Sequence, residues 1–174
     1  LHQCDKGGRG STKTSKNALK IVKDILENPE SNVVVIRRYA KDNRQSTYRE
    51  IIRAFGRLGI TLEHKVNLFY SPLQIRYGNA SIYFAGLDDF ESLKGLIPDE
   101  NSVNILWFFE IRQFRNDYEM QQVIATFSRG NPKYFYCLYE FNPHHNLSHW
   151  TYDWIEKFEQ RPNAIITHTT YLDL

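Results

Sequence analysis

Lys13-Thr14 closes an eight-residue run, Gly7-Gly8-Arg9-Gly10-Ser11-Thr12-Lys13-Thr14, whose residue types suit the binding of a polyphosphate. The run follows the spacing G-x-x-x-x-G-K-[ST], with Thr12 standing where the second glycine belongs. Such a loop turns consecutive backbone N–H groups toward one point and leads straight into a helix N-terminus, which favours negative charge. In that geometry Lys13 reaches the β- and γ-phosphates of a nucleotide and the Thr14 hydroxyl holds Mg²⁺. Gly7, Gly8, Arg9, Gly10, Ser11, Thr12, Lys13 and Thr14 are therefore the candidate nucleotide-binding residues. The competing reading of the run is a glycine-rich turn that caps a helix.

Three further groups could do chemistry. Glu110 follows the apolar stretch Asn104 to Phe109, and a carboxylate leaving a buried strand downstream of a phosphate loop can hold Mg²⁺ or polarise water. Only one acid stands there, and its plain alternative is the first solvated residue after a strand. Asn142-Pro143 ends another apolar stretch, where the amide can sense a γ-phosphate by hydrogen bonding or simply close the strand in a turn. His144, His145 and His149 raise the question of zinc, but no cysteine or carboxylate lies at ligand spacing. Packing of the following helix by His149-Trp150 is the reading preferred. Arg9, Arg37, Arg38 and Arg44 are candidates for offsetting charge on a transferring phosphoryl group, or for ion pairs.

The elements that must position these residues follow from periodicity. Ala18, Ile21, Val22 and Ile25 recur at helical spacing within 17–27, Pro29 stops that helix, and 33–37 is a short apolar strand. Only Leu1 to Lys6 precede the loop, so the strand leading into it is expected to be short or truncated. A second helix is expected over Ser46 to Leu58, with Arg49, Arg53 and Arg57 on one face and Ile51, Ile52, Phe55 and Leu58 in the core. Strands are expected at 66–70, 73–77, 81–85, 103–109, 134–141 and 164–167, with a tight turn at Gly78-Asn79. Helices are expected at 117–127 and 148–158, and a helical turn at Leu87 to Lys94. Strands separated by helices of this length predict an α/β fold whose mostly parallel sheet is flanked by helices, with ligands at the C-terminal ends of the strands.

Bulk properties set the frame. A chain of 174 residues, 41% hydrophobic, fits one globular domain with a real core. No run is long and apolar enough to span a membrane and no leader is recognised, so no membrane partner is expected. Cys4 and Cys137 have neither metal-ligand nor redox spacing and are expected to be free thiols. The net charge of +2 hides an asymmetry: residues 1–76 hold 15 Lys/Arg against 7 Asp/Glu, residues 77–174 hold 7 against 13. A basic half beside a phosphate loop fits a polyanionic partner, or solvated helix faces that happen to be basic.

Taken together the segments resemble the ATPase domain of a bacteriophage terminase large subunit, the motor that packages DNA into a prohead, in the branch found in phages of Gram-positive bacteria. The matching pieces are GGRGSTKTS at 7–15, VVVIRRYAKDNRQSTYREI at 33–51, SIYFAGLDDFESLKG at 81–95, NILWFFEIRQF at 104–114, FNP at 141–143 and THTTYLDL at 167–174. The resemblance implies a P-loop NTPase of the additional-strand, catalytic-glutamate type, filling residues 1–174 as an ATPase domain without the family's nuclease domain. It implies that Lys13 and Thr14 bind ATP and Mg²⁺ and that Arg9 is the arginine carried inside the loop. Glu110 falls on the catalytic glutamate, with Thr14 the other residue near the metal, and Asn142 on the motif that couples hydrolysis to movement. Such motors work as rings, which makes Arg44 a candidate arginine supplied in trans. Double-stranded DNA, a portal protein and a terminase small subunit are the implied partners, and the bacterial host cytoplasm the implied location. One departure stands out: the family usually has a metal-organising acid where this chain has Phe109. That departure opens an alternative, a nucleotide-binding assembly module with weak or no hydrolysis.

Overall fold

Alternation of side chains along five buried parallel strands builds this molecule from the middle outward. The computed structural model describes residues 1–8, 10–61, 65–89, 92, 95, 102–130 and 132–170. Its elements are β1 (His2–Gly7), α1 (Lys13–Glu27), β2 (Asn32–Arg37), α2 (Thr47–Arg57), β3 (Val66–Tyr70), β4 (Leu73–Tyr77) and β5 (Ala80–Gly86). They continue with β6 (Ile105–Phe109), α3 (Asp117–Phe127), β7 (Tyr136–Phe141), α4 (Trp150–Glu159) and β8 (Ala164–Thr169). All eight strands join one sheet in the order β3-β4-β5-β2-β6-β7-β1-β8. Strands β5, β2, β6, β7, β1 and β8 run parallel, and β4 pairs antiparallel with both β3 and β5.

Successive residues of a strand point to opposite faces, so each central strand feeds two cores. Val33, Val35, Ile105, Trp107, Phe109 and Leu138 pack with α1 and α2. Val34, Ile36, Leu106, Phe108, Cys137 and Tyr139 pack with α3 and α4. Fully covered parallel strands read as continuous apolar runs, which is why 33–36 and 105–109 carry no alternation in sequence. Asn104, just before β6, is the polar exception. Its side-chain carbonyl accepts from the Asn32 backbone N–H (3.1 Å) and so ties β6 to β2 at their starts.

The short strand under the loop spans His2–Gly7 and pairs with β7 on one side and β8 on the other. β7 begins at Tyr136, two residues later than expected. Within α2, Ile51 and Phe55 are buried as the spacing demands, but Leu58 is 41% exposed. The helix ends at Arg57 and the chain turns through Gly59 (φ 74°), which carries Leu58 off the buried face. Arg53 and Arg57 pair with Glu50 at 3.1 and 3.2 Å, and Arg49 is exposed. Leu87–Asp89 forms a single 3₁₀ turn, and residues 90, 91, 93 and 94 of that expected helix lie outside the described residues. Tyr77 pairs with Ala80 across Gly78-Asn79, the expected tight turn, with Gly78 at φ 60°.

Candidate active site

The loop leaves β1 where the strand is pinned from both sides. A Cβ at Gly7 would run into the backbone oxygen of Thr169 on β8 and lie 2.9 Å from Ser11 Oγ, so only glycine fits there. Gly10 turns the chain at φ 78°. Thr12, at the position of the missing second glycine, takes the left-handed conformation a glycine would have taken (φ 56°, ψ 3°). A β-branched residue there is strained by about 1–3 kcal/mol. Its carbonyl accepts from the Lys16 N–H at 2.9 Å, the first turn of α1. Arg9 lies outside the described residues.

Lys13 is 6% exposed, unusual for a lysine, because its ammonium group is folded back onto the loop. Nζ donates to Gly8 O (3.1 Å), to Ser11 Oγ (3.5 Å) and to Asn142 Oδ1 (2.6 Å). The Asn142 amide continues the chain: Nδ2 donates to Glu110 Oε1 at 3.2 Å. Glu110 leaves β6 in a left-handed conformation (φ 54°, ψ 53°), which swings its carboxylate toward the tip of β7. Its other oxygen, Oε2, is buried, lies 3.3 Å from Arg112 Nε and accepts no hydrogen bond among the described residues. The fold thus brings Lys13, Asn142 and Glu110, which come from three different segments, into one continuous polar contact.

The Thr14 hydroxyl is not turned toward Glu110. It donates to Glu140 Oε1, while Asn17 Nδ2 donates to Glu140 Oε2 at 3.2 Å. Glu140 stands on β7, register partner of Phe109 on one side and of Asp5 on the other. It is 1% exposed, and burial pushes its carboxyl up to about 7 against the hydrogen bonds from Thr14 and Asn17 and the charge of Lys13. Glu140 is the site residue that motif reading passes over. Its signal was a lone acid inside the apolar run Cys137 to Phe141.

Phe109 fills the neighbouring position on β6. Its ring meets Trp107 edge-on at 5.6 Å, and the Arg37 guanidinium sits 4.9 Å over it. Arg37 is otherwise committed to the fold, donating to Asp42 O (3.0 Å) and Ser46 Oγ (2.6 Å). Arg38 pairs with Glu119 on α3 at 2.7 Å. Arg44 is exposed and lies 5.3 Å over the Tyr70 ring at the β3 side of the sheet. The histidines stack, His144 on His145 at 4.3 Å and on His149 at 4.4 Å. His149 caps α4, and Trp150 Nε1 donates to Phe114 O at 3.0 Å, so this cluster anchors a helix. A cleft of about 580 Å³ lined by Ser31, Asn32, Asn104 and Tyr134 lies at the N-terminal ends of the strands, away from these groups.

A strand interposed between the loop-bearing β1 and the glutamate-bearing β6 is the arrangement of additional-strand P-loop ATPases. The sequence family described as phage terminase large subunit matches the chain over residues 1–174. The chain belongs to that family.

This terminase chain is 29% identical over 173 residues to the large subunit of Bacillus phage SPP1, covering 96% of itself and 40% of that relative. It therefore spans about two fifths of the length of the relative it matches. The large terminase of a thermophilic bacteriophage superposes with a TM-score of 0.75 at 17% identity, over 98% of the present chain and 40% of that one. That phage's terminase has also been solved in complex with ATP-gamma-S and with ADP. The N-terminal domain of the DNA packaging ATPase from bacteriophage phi29 superposes with a TM-score of 0.70 at 16% identity, over 100% of the present chain and 92% of that one.

Proposed function

We propose that the chain is the ATP-hydrolysing motor domain of a terminase, coupling hydrolysis to movement of double-stranded DNA into a prohead. The observation that carries this reading is the contact chain Lys13–Asn142–Glu110, which joins the loop to the tips of β7 and β6. Family membership and the nucleotide complexes of the thermophilic phage's terminase support it.

In this reading the N–H groups of Gly7 to Thr14 and the Lys13 ammonium hold the phosphates of ATP. Glu110 has one buried oxygen without a hydrogen bond among the described residues, suited to orient a water and accept its proton. Asn142 is bonded to both Lys13 and Glu110, so a change of partner at the lysine frees the oxygen of the amide whose nitrogen is bonded to the glutamate. The donor set fits Mg²⁺. It offers a hydroxyl and carboxylates, and no cluster of three His, Cys, Asp or Glu among the described residues could cage a metal alone. A small hard cation that keeps its waters and takes substrate oxygens suits such a site. Thr14 and Glu110 are the residues that would hold Mg²⁺, whose charge would offset that of the phosphates.

Arg9 and Arg44 are the arginines proposed to meet phosphoryl charge, Arg44 from a neighbouring subunit of a ring. DNA contact would be to the backbone and salt-sensitive, because a packaging motor must ignore sequence. A portal protein and a small subunit are the proposed partners, and the host cytoplasm the proposed setting.

The test is ATP turnover with Mg²⁺, with and without double-stranded DNA, across protein concentrations. Lys13→Ala should abolish it, and Asn142→Ala should lower it about 10–100-fold, the scale of a lost positioning contact. Turnover that survives Lys13→Ala would rule the site out.

A further inference from the structure

The α1 face of the sheet ends in two side chains from adjacent strands, Phe109 and Glu140, opposite each other in register. Where the family resemblance places a metal-organising acid, Phe109 is sealed between Trp107 and Arg37. The acid stands one strand nearer the loop, because β7 and not β6 borders β1. A neighbouring strand lies only about 4.8 Å away, so the displacement is within the reach of a glutamate. Both oxygens of Glu140 are engaged by α1, at Thr14 and Asn17. A buried carboxylate is expensive even when hydrogen-bonded, and this one is held there by two donors of α1, one of them the fully buried Asn17 amide.

We propose that Glu140 performs the task of the acid absent from position 109, orienting the Thr14 hydroxyl and placing negative charge behind the Mg²⁺ of a bound nucleotide. By accepting the hydrogen bond that the Thr14 hydroxyl donates, Glu140 leaves the Thr14 oxygen lone pairs free to face the loop. Glu140 is thus a positioning residue acting through Thr14, as partners of metal ligands do elsewhere. Phe109 then belongs to a site whose acid has moved, not to a site that lacks one. The inference rests on the loop being a Mg²⁺-nucleotide site.

The test compares affinity for a fluorescent ATP analogue in EDTA and in Mg²⁺, using the whole chain. In Glu140→Gln the ratio of the two affinities should fall about 10–100-fold. Glu140→Asp, which keeps the charge but shortens the reach, should lose part of it and provides a second, charge-conserving variant. Mn²⁺ bound to the chain–nucleotide complex, read by electron paramagnetic resonance, should weaken by the same factor. A purely structural Glu140 would shift both affinities together, and an unchanged ratio would overturn the proposal alone. Wild-type binding that ignores Lys13→Ala would overturn the loop reading, and this proposal with it.

Discussion

Strands β6 and β7 end side by side and make opposite choices. Both are buried along their length and parallel, and both are followed by a polar residue that enters the site. On the α1 face, however, β6 is apolar to its tip at Phe109 while β7 carries the buried Glu140. The difference follows from their neighbours. A buried charge survives only where donors meet it, and Thr14 and Asn17 stand over β7. Over β6 stands Arg37, whose guanidinium is already bound to Asp42 and Ser46 and offers the Phe109 ring its face. The position of a carboxylate in this site is set by the donors of α1, more than by the strand on which the pattern expects it.

The strongest way to break this comparison is at the β6 tip. Glu110→Gln keeps the shape and the hydrogen bond from Asn142 but removes the proposed base, so kcat should fall about 10²–10⁴-fold with a smaller change in KM. A loss confined to KM would move Glu110 out of the chemistry. At the β7 tip the prediction concerns stability and pH. The Glu140 carboxyl is raised from its ordinary value of 4.5 to about 7, so the unfolded chain loses this proton near 4.5 while the folded chain keeps it to about 7. Stability from this group is therefore present at low pH, falls between those values and stays flat above them, by about 3 kcal/mol in all. Denaturant unfolding should find Glu140→Gln equal to wild type at about pH 4 and more stable by that amount at about pH 8. Equal stabilities at both values would mean that Glu140 is compensated more fully than its contacts suggest.

The smallest effect lies at the start of the site. Thr12 and Glu110 both adopt left-handed conformations without being glycine. Thr12→Gly relieves strain but adds freedom to the unfolded chain, for a net gain of about 1 kcal/mol. A melting temperature that drops in the glycine variant would show that the threonine side chain makes up for its backbone.

Much of this was legible in the residues. Four apolar positions between Ala18 and Ile25 were enough to set α1, and strands 66–70 and 73–77 fall where expected, on either side of Ser71-Pro72. Leu58 failed because helical spacing cannot see where a helix stops. The loop and the residues after β6 and β7 were visible because each follows an apolar run that must end at the same edge of a parallel sheet. Glu140 was hidden for the complementary reason. It lies inside such a run, and only the strand order, which brings β7 against β1, gives it partners.

The bond between Lys13 and Asn142 makes the site an interlock. The ammonium group already holds three acceptors, so an arriving phosphate enters by exchange and does not fill a free valence. The amide oxygen released in that exchange stays attached, through its own nitrogen, to Glu110. If the loop holds nucleotide as proposed, its arrival would be felt at Glu110 before any helix or strand has to move.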